Sequence, residues 1–277
     1  MKPQNRHCVL LLPGLCGTYR ELGPIPKVLE DSGFEVHVAE IAGYADKNGP
    51  IQWLDWVEEA DSIFSELRAS ADTVSLVGLS MGATLALKLA ERRDDVDALV
   101  LLSPILRYDG WSMPWYGFLM RWAYWVGFRN WSWQEKAPYG IANLELRKRV
   151  QKAVEQGDPS EVGAAFISAR HMHQAQLMMK GARLRLGDVT APTLIMHAVD
   201  DETAAPRNAE EIFLRISSEV RKVIWLGDSY HIITVDNERE VVVNETTRFI
   251  DEWSKNGGPK LGFRDRARVL RMKDRRG

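Results

Sequence analysis

Residues 74–90 read VSLVGLSMGATLALKLA, with Gly78-Leu79-Ser80-Met81-Gly82 at the centre. The pattern G-x-S-x-G is weak on its own. Glycine makes up about 7% of average protein sequence, so three fixed positions recur by chance. The flanks decide the reading. Thr73 to Val77 (TVSLV) is short, β-branched and apolar, as a strand buried on both faces should be. Ala83 to Ala90 (ATLALKLA) is built mostly of strong helix formers. A serine on a sharp strand-to-helix turn is the arrangement that exposes a nucleophilic hydroxyl. The glycines on either side fit segments that cross too closely for a Cβ.

Outward from this turn, strand signals alternate with helical ones. Strands are expected at Cys8–Leu12, Phe34–Ala39, Val96–Leu102, Pro192–His197 and Val220–Leu226. Helices are expected over PIPKVLEDSG (24–33), Ile51–Ala71, Arg207–Ile216 and Glu238–Trp253. The alternation predicts an α/β protein, with a mostly parallel central sheet and helices on both faces. From Leu106 to about Asp188 no core strand is expected, and the stretch is too long for a plain loop. It reads as an inserted helical cap. The expected division is therefore 1–106 and 189–256 for the core, 107–188 for the cap and 257–277 for a basic C-terminal extension. Within the cap, residues 111–133 (WSMPWYGFLMRWAYWVGFRNWSW) hold six of the chain's ten tryptophans. They suit an apolar substrate wall or a membrane-touching lid.

Composition narrows the class. The chain of 277 residues is long enough for a large single core. Its net charge of −2 offers no electrostatic footprint for nucleic acid. Cys8 and Cys16 cannot make a disulfide framework and point to a reducing, cytoplasmic setting. The apolar run near the N-terminus reads as a first strand rather than a signal peptide, and no transmembrane helix is expected. From Lys260 the tail carries eight Lys/Arg and two Asp, which suits a solvated extension or a contact with an anionic membrane.

A serine nucleophile needs a base, usually a histidine supported by a carboxylate. In a serine-elbow fold these follow in the order Ser, Asp/Glu, His. His7 and His37 precede the serine, His171 and His173 fall in the cap, and His197 ends a strand. His231, in GDSYHIITVD (227–236), follows the last strand and can reach the carboxyl edge of the sheet. The acid belongs on HAVDDETAAP (197–206), where Asp200, Asp201 and Glu202 all qualify. An oxyanion hole needs two main-chain amides. One is Met81, the residue after the nucleophile. The other comes from PGLCGT (13–18), whose glycines allow close approach to a ligand.

Together, LLLPGLCGT, GLSMGATLAL, HAVDDETAAP and DSYHIITVD resemble the α/β-hydrolase fold over roughly residues 8–253. More narrowly, they resemble the bacterial carboxylesterases of the monoacylglycerol lipase-like, serine aminopeptidase S33-type branch. The resemblance implies a Ser80–Asp201–His231 triad, because the acid there lies in a D-x-x-x-x-P stretch and counting back from Pro206 reaches Asp201. It also implies Leu15 as the second oxyanion donor, with Pro13 standing where the family usually has a histidine. Gly14, Cys16, Trp111, Trp115 and Trp122 are the candidate substrate contacts. The implied activity is hydrolysis of a lipophilic short- to medium-chain ester or monoacylglycerol, with no cofactor and no metal. Thioesterase, acyltransferase and non-catalytic binding roles stay open as alternatives.

Overall fold

In the computed structural model, residues 6–44, 52–113, 131–134, 137–155 and 166–254 are described. Six parallel strands form the central sheet: β1 (His7–Leu12), β2 (Glu35–Val38), β3 (Thr73–Leu79), β4 (Ala98–Leu102), β7 (Thr193–Ala198) and β8 (Arg221–Leu226). Their spatial order is β2-β1-β3-β4-β7-β8. Two three-residue strands, β5 (Ser132–Gln134) and β6 (Phe166–Ser168), pair antiparallel outside that sheet. The helices are α1 (Ile25–Asp31), α2 (Trp53–Ser70), α3 (Met81–Ala90), α4 (Leu144–Glu155), α5 (Ala169–Leu184), α6 (Arg207–Arg215) and α7 (Arg239–Ser254).

Alternation along the strands splits the core in two. Cys8, Leu10 and Leu12 of β1 pack with Leu76 of β3 and Leu99 and Leu101 of β4 on one face. Val9, Leu11, Val77, Leu79, Val100 and Leu102 face the other way, as the two-residue period of a strand requires. The first face is covered by α2, α3, α5 and α6, and the second by α1 and α7. α2 buries Trp56, Val57, Ala60, Phe64 and Leu67, a stripe at helical spacing. α3 is buried along its whole length, which explains why its sequence lacks a polar face.

Residues 107–188 contribute no strand to the main sheet among the described residues. Their described portion combines two helices with the β5–β6 ribbon, so it is less purely helical than expected. The buried side of α5 (Ala175, Met178, Met179 and Ala182) joins the same apolar cluster as α2 and α3. Trp115, Trp122 and the basic tail lie outside the described residues. No helix among the described residues is long and apolar enough to cross a membrane.

Candidate active site

Because the sheet is parallel, the loops after β1, β3, β7 and β8 all leave its carboxyl edge. Ser80 sits between β3 and α3 with φ 58° and ψ −118°, a left-handed backbone that costs a non-glycine residue about 1–3 kcal/mol. Its amide is held by the Leu102 carbonyl at 2.8 Å. A Cβ on Gly78 would lie 2.3 Å from the Gly82 carbonyl oxygen, and one on Gly82 would lie 2.0 Å from the Leu12 oxygen. Both glycines of the motif are therefore steric requirements of the turn.

Ser80 Oγ lies 2.8 Å from His231 Nε2, and His231 Nδ1 lies 2.7 Å from Asp201 Oδ2. Asp201 is buried, and its Oδ1 also accepts the amides of Thr203 (2.9 Å) and Ala204 (2.8 Å). Burial opposes its charge. The neighbouring His231 and His197, with the Ala204 amide, outweigh burial and hold the carboxyl below its usual range. An ionised Asp201 can only accept, so His231 Nδ1 is the donor. Nε2 is then left to accept the serine proton. Asp200 gives its main-chain carbonyl to Trp111 Nε1 at 3.1 Å. Of the three acidic candidates, it is Asp201 whose carboxylate meets the ring.

The loop carrying His231 is held almost amide by amide by carboxylates. Glu238 takes the amides of Gly227 (3.2 Å) and Asp228 (2.8 Å) and the Ser229 hydroxyl (2.7 Å). Asp236 takes Tyr230 N–H at 2.9 Å, together with the amides of Ala142 and Asn143 at 2.7 and 2.8 Å. Glu202 takes His231 N–H at 3.2 Å. Burial pushes the Glu202 carboxyl up, with the adjacent Asp201 adding to the rise and His231 opposing it. Sequence reading singles out Glu202 only as a candidate acid and misses Glu238 altogether. Short acidic residues in loops carry no periodic signal, and their partners come from separate segments.

In the loop after β1, the glycines also make room for a residue of the protein itself. A Cβ on Gly14 would lie 2.9 Å from Glu21 Oε1, and one on Gly17 only 2.1 Å from it. What approaches these glycines closely is a buried side chain of the protein. The Gly14 amide donates to that same oxygen. The Cys16 amide bonds the Tyr44 carbonyl at 3.1 Å, and Cys16 adopts φ 56°. Among the described residues, the amides of Leu15 and Met81 bond no protein acceptor. Trp111 is 62% exposed and meets Tyr230 edge-on at 5.9 Å, beside the acid and histidine loops.

His171 and His197 have structural surroundings. His171 is buried between the Gly43 carbonyl (2.9 Å) and Ser168 Oγ (2.7 Å) and stacks on Trp56. His197 Nε2 donates to the Ala204 carbonyl at 2.8 Å, and burial pushes this imidazole down toward its neutral form. Cys8, Glu35 and His37 bring possible metal-ligating atoms within 4.8 Å of one another. Arg6 Nη2 already pairs with Glu35 Oε2 there at 2.6 Å.

The family model for serine aminopeptidase, S33, matches residues 3–239. A thermostable monoacylglycerol lipase from Bacillus sp. (strain H-257) is 23% identical over 246 residues, covering 87% of this chain and 89% of that protein. A carboxylesterase from Bacillus subtilis (strain 168) is 21% identical, covering 88% and 92%. The crystal structure of Paleococcus ferrophilus monoacylglycerol lipase superimposes with a TM-score of 0.74 at 21% identity, over 88% of this chain and 93% of that one. A soluble variant of monoglyceride lipase from Saccharomyces cerevisiae, in complex with a substrate analogue, gives 0.75 at 15% identity over 91% and 88%. With the model matching most of its length and this fold beneath it, the chain belongs to the serine aminopeptidase S33 family of α/β-hydrolases.

Proposed function

We propose that this protein is a carboxylic-ester hydrolase in which Ser80 is the nucleophile, His231 the general base and acid, and Asp201 the residue that orients the imidazole. The observation that carries the reading is the unbroken chain Asp201–His231–Ser80, with links of 2.7 and 2.8 Å. Ser80 Oγ attacks the ester carbonyl while its proton passes to His231 Nε2. The tetrahedral oxyanion is held by the amides of Leu15 and Met81. His231 then returns the proton to the leaving alkoxide, and an alcohol departs. A water, deprotonated by the same nitrogen, attacks the acyl-serine and releases the acid.

Lipophilic short- to medium-chain esters or monoacylglycerols are the substrate class. The tryptophan-rich segment 111–133 supports this, as does the similarity to monoacylglycerol and monoglyceride lipases. In this reading residues 107–188 act as the cap over the acyl group, and Trp111, Trp115 and Trp122 are its substrate contacts. Gly14 and Cys16 line the approach beside Leu15. The enzyme works in the cytoplasm, with peripheral membrane contact through the aromatic segment or the basic tail. The experiment is hydrolysis of p-nitrophenyl esters from acetate to palmitate by wild type and Ser80→Ala. Ser80-dependent turnover that peaks at short or medium chains supports the proposal. Turnover unaffected by Ser80→Ala overturns the assigned nucleophile, and a preference for charged hydrophilic esters overturns the substrate class.

A further inference from the structure

Glu21 is a buried carboxylate for which the chemistry above has no use. It lies in a short 3-10 turn, Tyr19–Leu22, and projects into the curl of residues 13–18. The first three peptide units of that curl are fixed differently. In the Pro13–Gly14 unit, the carbonyl accepts the Tyr44 hydroxyl at 2.9 Å and the N–H donates to Glu21 Oε1. The N–H of the Leu15–Cys16 unit donates to the Tyr44 carbonyl at 3.1 Å. Between them, the Gly14–Leu15 unit has its carbonyl tied to the Gly17 amide at 3.0 Å, and its own N–H bonds no described acceptor. A peptide whose carbonyl already accepts is a more polarised donor at its N–H. The curl also abuts the serine turn, where Gly82 is pressed against the Leu12 and Pro13 carbonyls.

We infer that Glu21 is a positioning residue for the Leu15 oxyanion donor: by taking the Gly14 amide inward, its carboxylate keeps the Gly14–Leu15 peptide in the one orientation that presents Leu15 N–H to the reaction. This rests on the serine-hydrolase reading. The physical need is specific. The curl contains two glycines, the residues with the most backbone freedom. Glu21 fills the space that any larger residue would take at either of them. Without the carboxylate, the Gly14 amide is left buried with no partner and the curl has other conformations open to it.

The test uses the full chain as Glu21→Ala and Glu21→Gln, with kcat and KM measured separately on an ester that wild type hydrolyses. Thermal unfolding of each variant is measured in parallel. Losing an oxyanion donor outright lowers kcat by about 10²–10³-fold. Loosening one is expected to lower kcat by about 10- to 100-fold in Glu21→Ala, with KM changed by less than about threefold. Glu21→Gln keeps an acceptor oxygen and is expected to recover most of that loss. A folded Glu21→Ala protein with wild-type kcat overturns the inference, and so does a loss that appears only in KM. If Glu21→Ala does not fold, Gly17→Ala serves in its place, because its Cβ displaces the carboxyl instead of deleting it. Wild type lacking Ser80-dependent turnover is a separate failure, which overturns the hydrolase reading itself.

Discussion

Glu202 Oε2 accepts the main-chain amide of His231 at 3.2 Å, while the imidazole Nδ1 of the same residue goes to Asp201 Oδ2 at 2.7 Å. Two adjacent acids thus hold one histidine by different handles. Asp201→Asn is expected to lower kcat by about 10³–10⁴-fold, because an amide in that place does not enforce the tautomer that leaves Nε2 free to accept. Glu202→Gln keeps an oxygen for the main-chain amide and is expected to stay within about tenfold of wild type. Steady-state kinetics on one ester compare the two. A larger loss in Glu202→Gln than in Asp201→Asn reverses the assignment.

The same glutamate sets a pH dependence of stability. Burial raises the Glu202 carboxyl above its ordinary range, so the folded chain binds that proton more tightly than the unfolded chain. The stability linked to it is complete below the ordinary carboxylate range and is lost as pH rises through the raised folded value. Glu202→Gln does not titrate. Its Tm relative to wild type should therefore climb as pH rises above the ordinary carboxylate range of about pH 4. A difference that grows toward acid contradicts this origin.

Gly82 and Gly33 separate two reasons for a glycine. Gly82→Ala forces a Cβ to within 2.0 Å of the Leu12 oxygen. It is expected to cost more than about 4 kcal/mol, or to prevent folding, since backbone must move. Gly33 has φ 84° but nothing within 4 Å of a Cβ. Gly33→Ala is expected to cost only about 1–2 kcal/mol of left-handed strain. Urea unfolding of both variants measures the contrast, and equal costs would refute it.

Lys88 and Glu91 form an ion pair with both side chains almost fully buried, and Lys88 also lies 5.3 Å from the Trp53 ring centre. Burial raises the Glu91 carboxyl, and Lys88 is the principal group opposing that rise. Lys88→Met leaves the carboxylate with Arg185 at 3.8 Å and the weaker field of Arg92 and is expected to destabilise by about 3–5 kcal/mol. Adding Glu91→Gln should recover most of the loss, because no lone charge then remains. A double variant as unstable as Lys88→Met would show that packing dominates instead.

Most of the fold is legible in the sequence because strand and helix periods are. β1, β3, β7 and α2 are expected within two residues of where they lie, and β4 starts two residues later than expected because Val96 and Asp97 precede the ladder. Ser80 and His231 are legible from chain order. Asp201 stands apart from its neighbours only through the family resemblance, in which the acid lies five residues before a proline. The supports are less visible. Glu21 and Glu238 look like ordinary surface acids in sequence, Glu202 like one more candidate for the triad acid, and only tertiary proximity makes them acceptors for main-chain amides. The β5–β6 strands, three residues each, are too short for a period to register.

The loop after β1 is completed from far along the chain: Thr234 Oγ1 donates to the Glu21 carbonyl across 213 positions. The consequence is temporal. A ribosome exports the serine turn long before it exports the base that activates it or the threonine that buttresses the Glu21 turn. On the proposed mechanism a half-synthesised chain therefore carries a serine without its base, and competence arrives only when the last loop closes over the first.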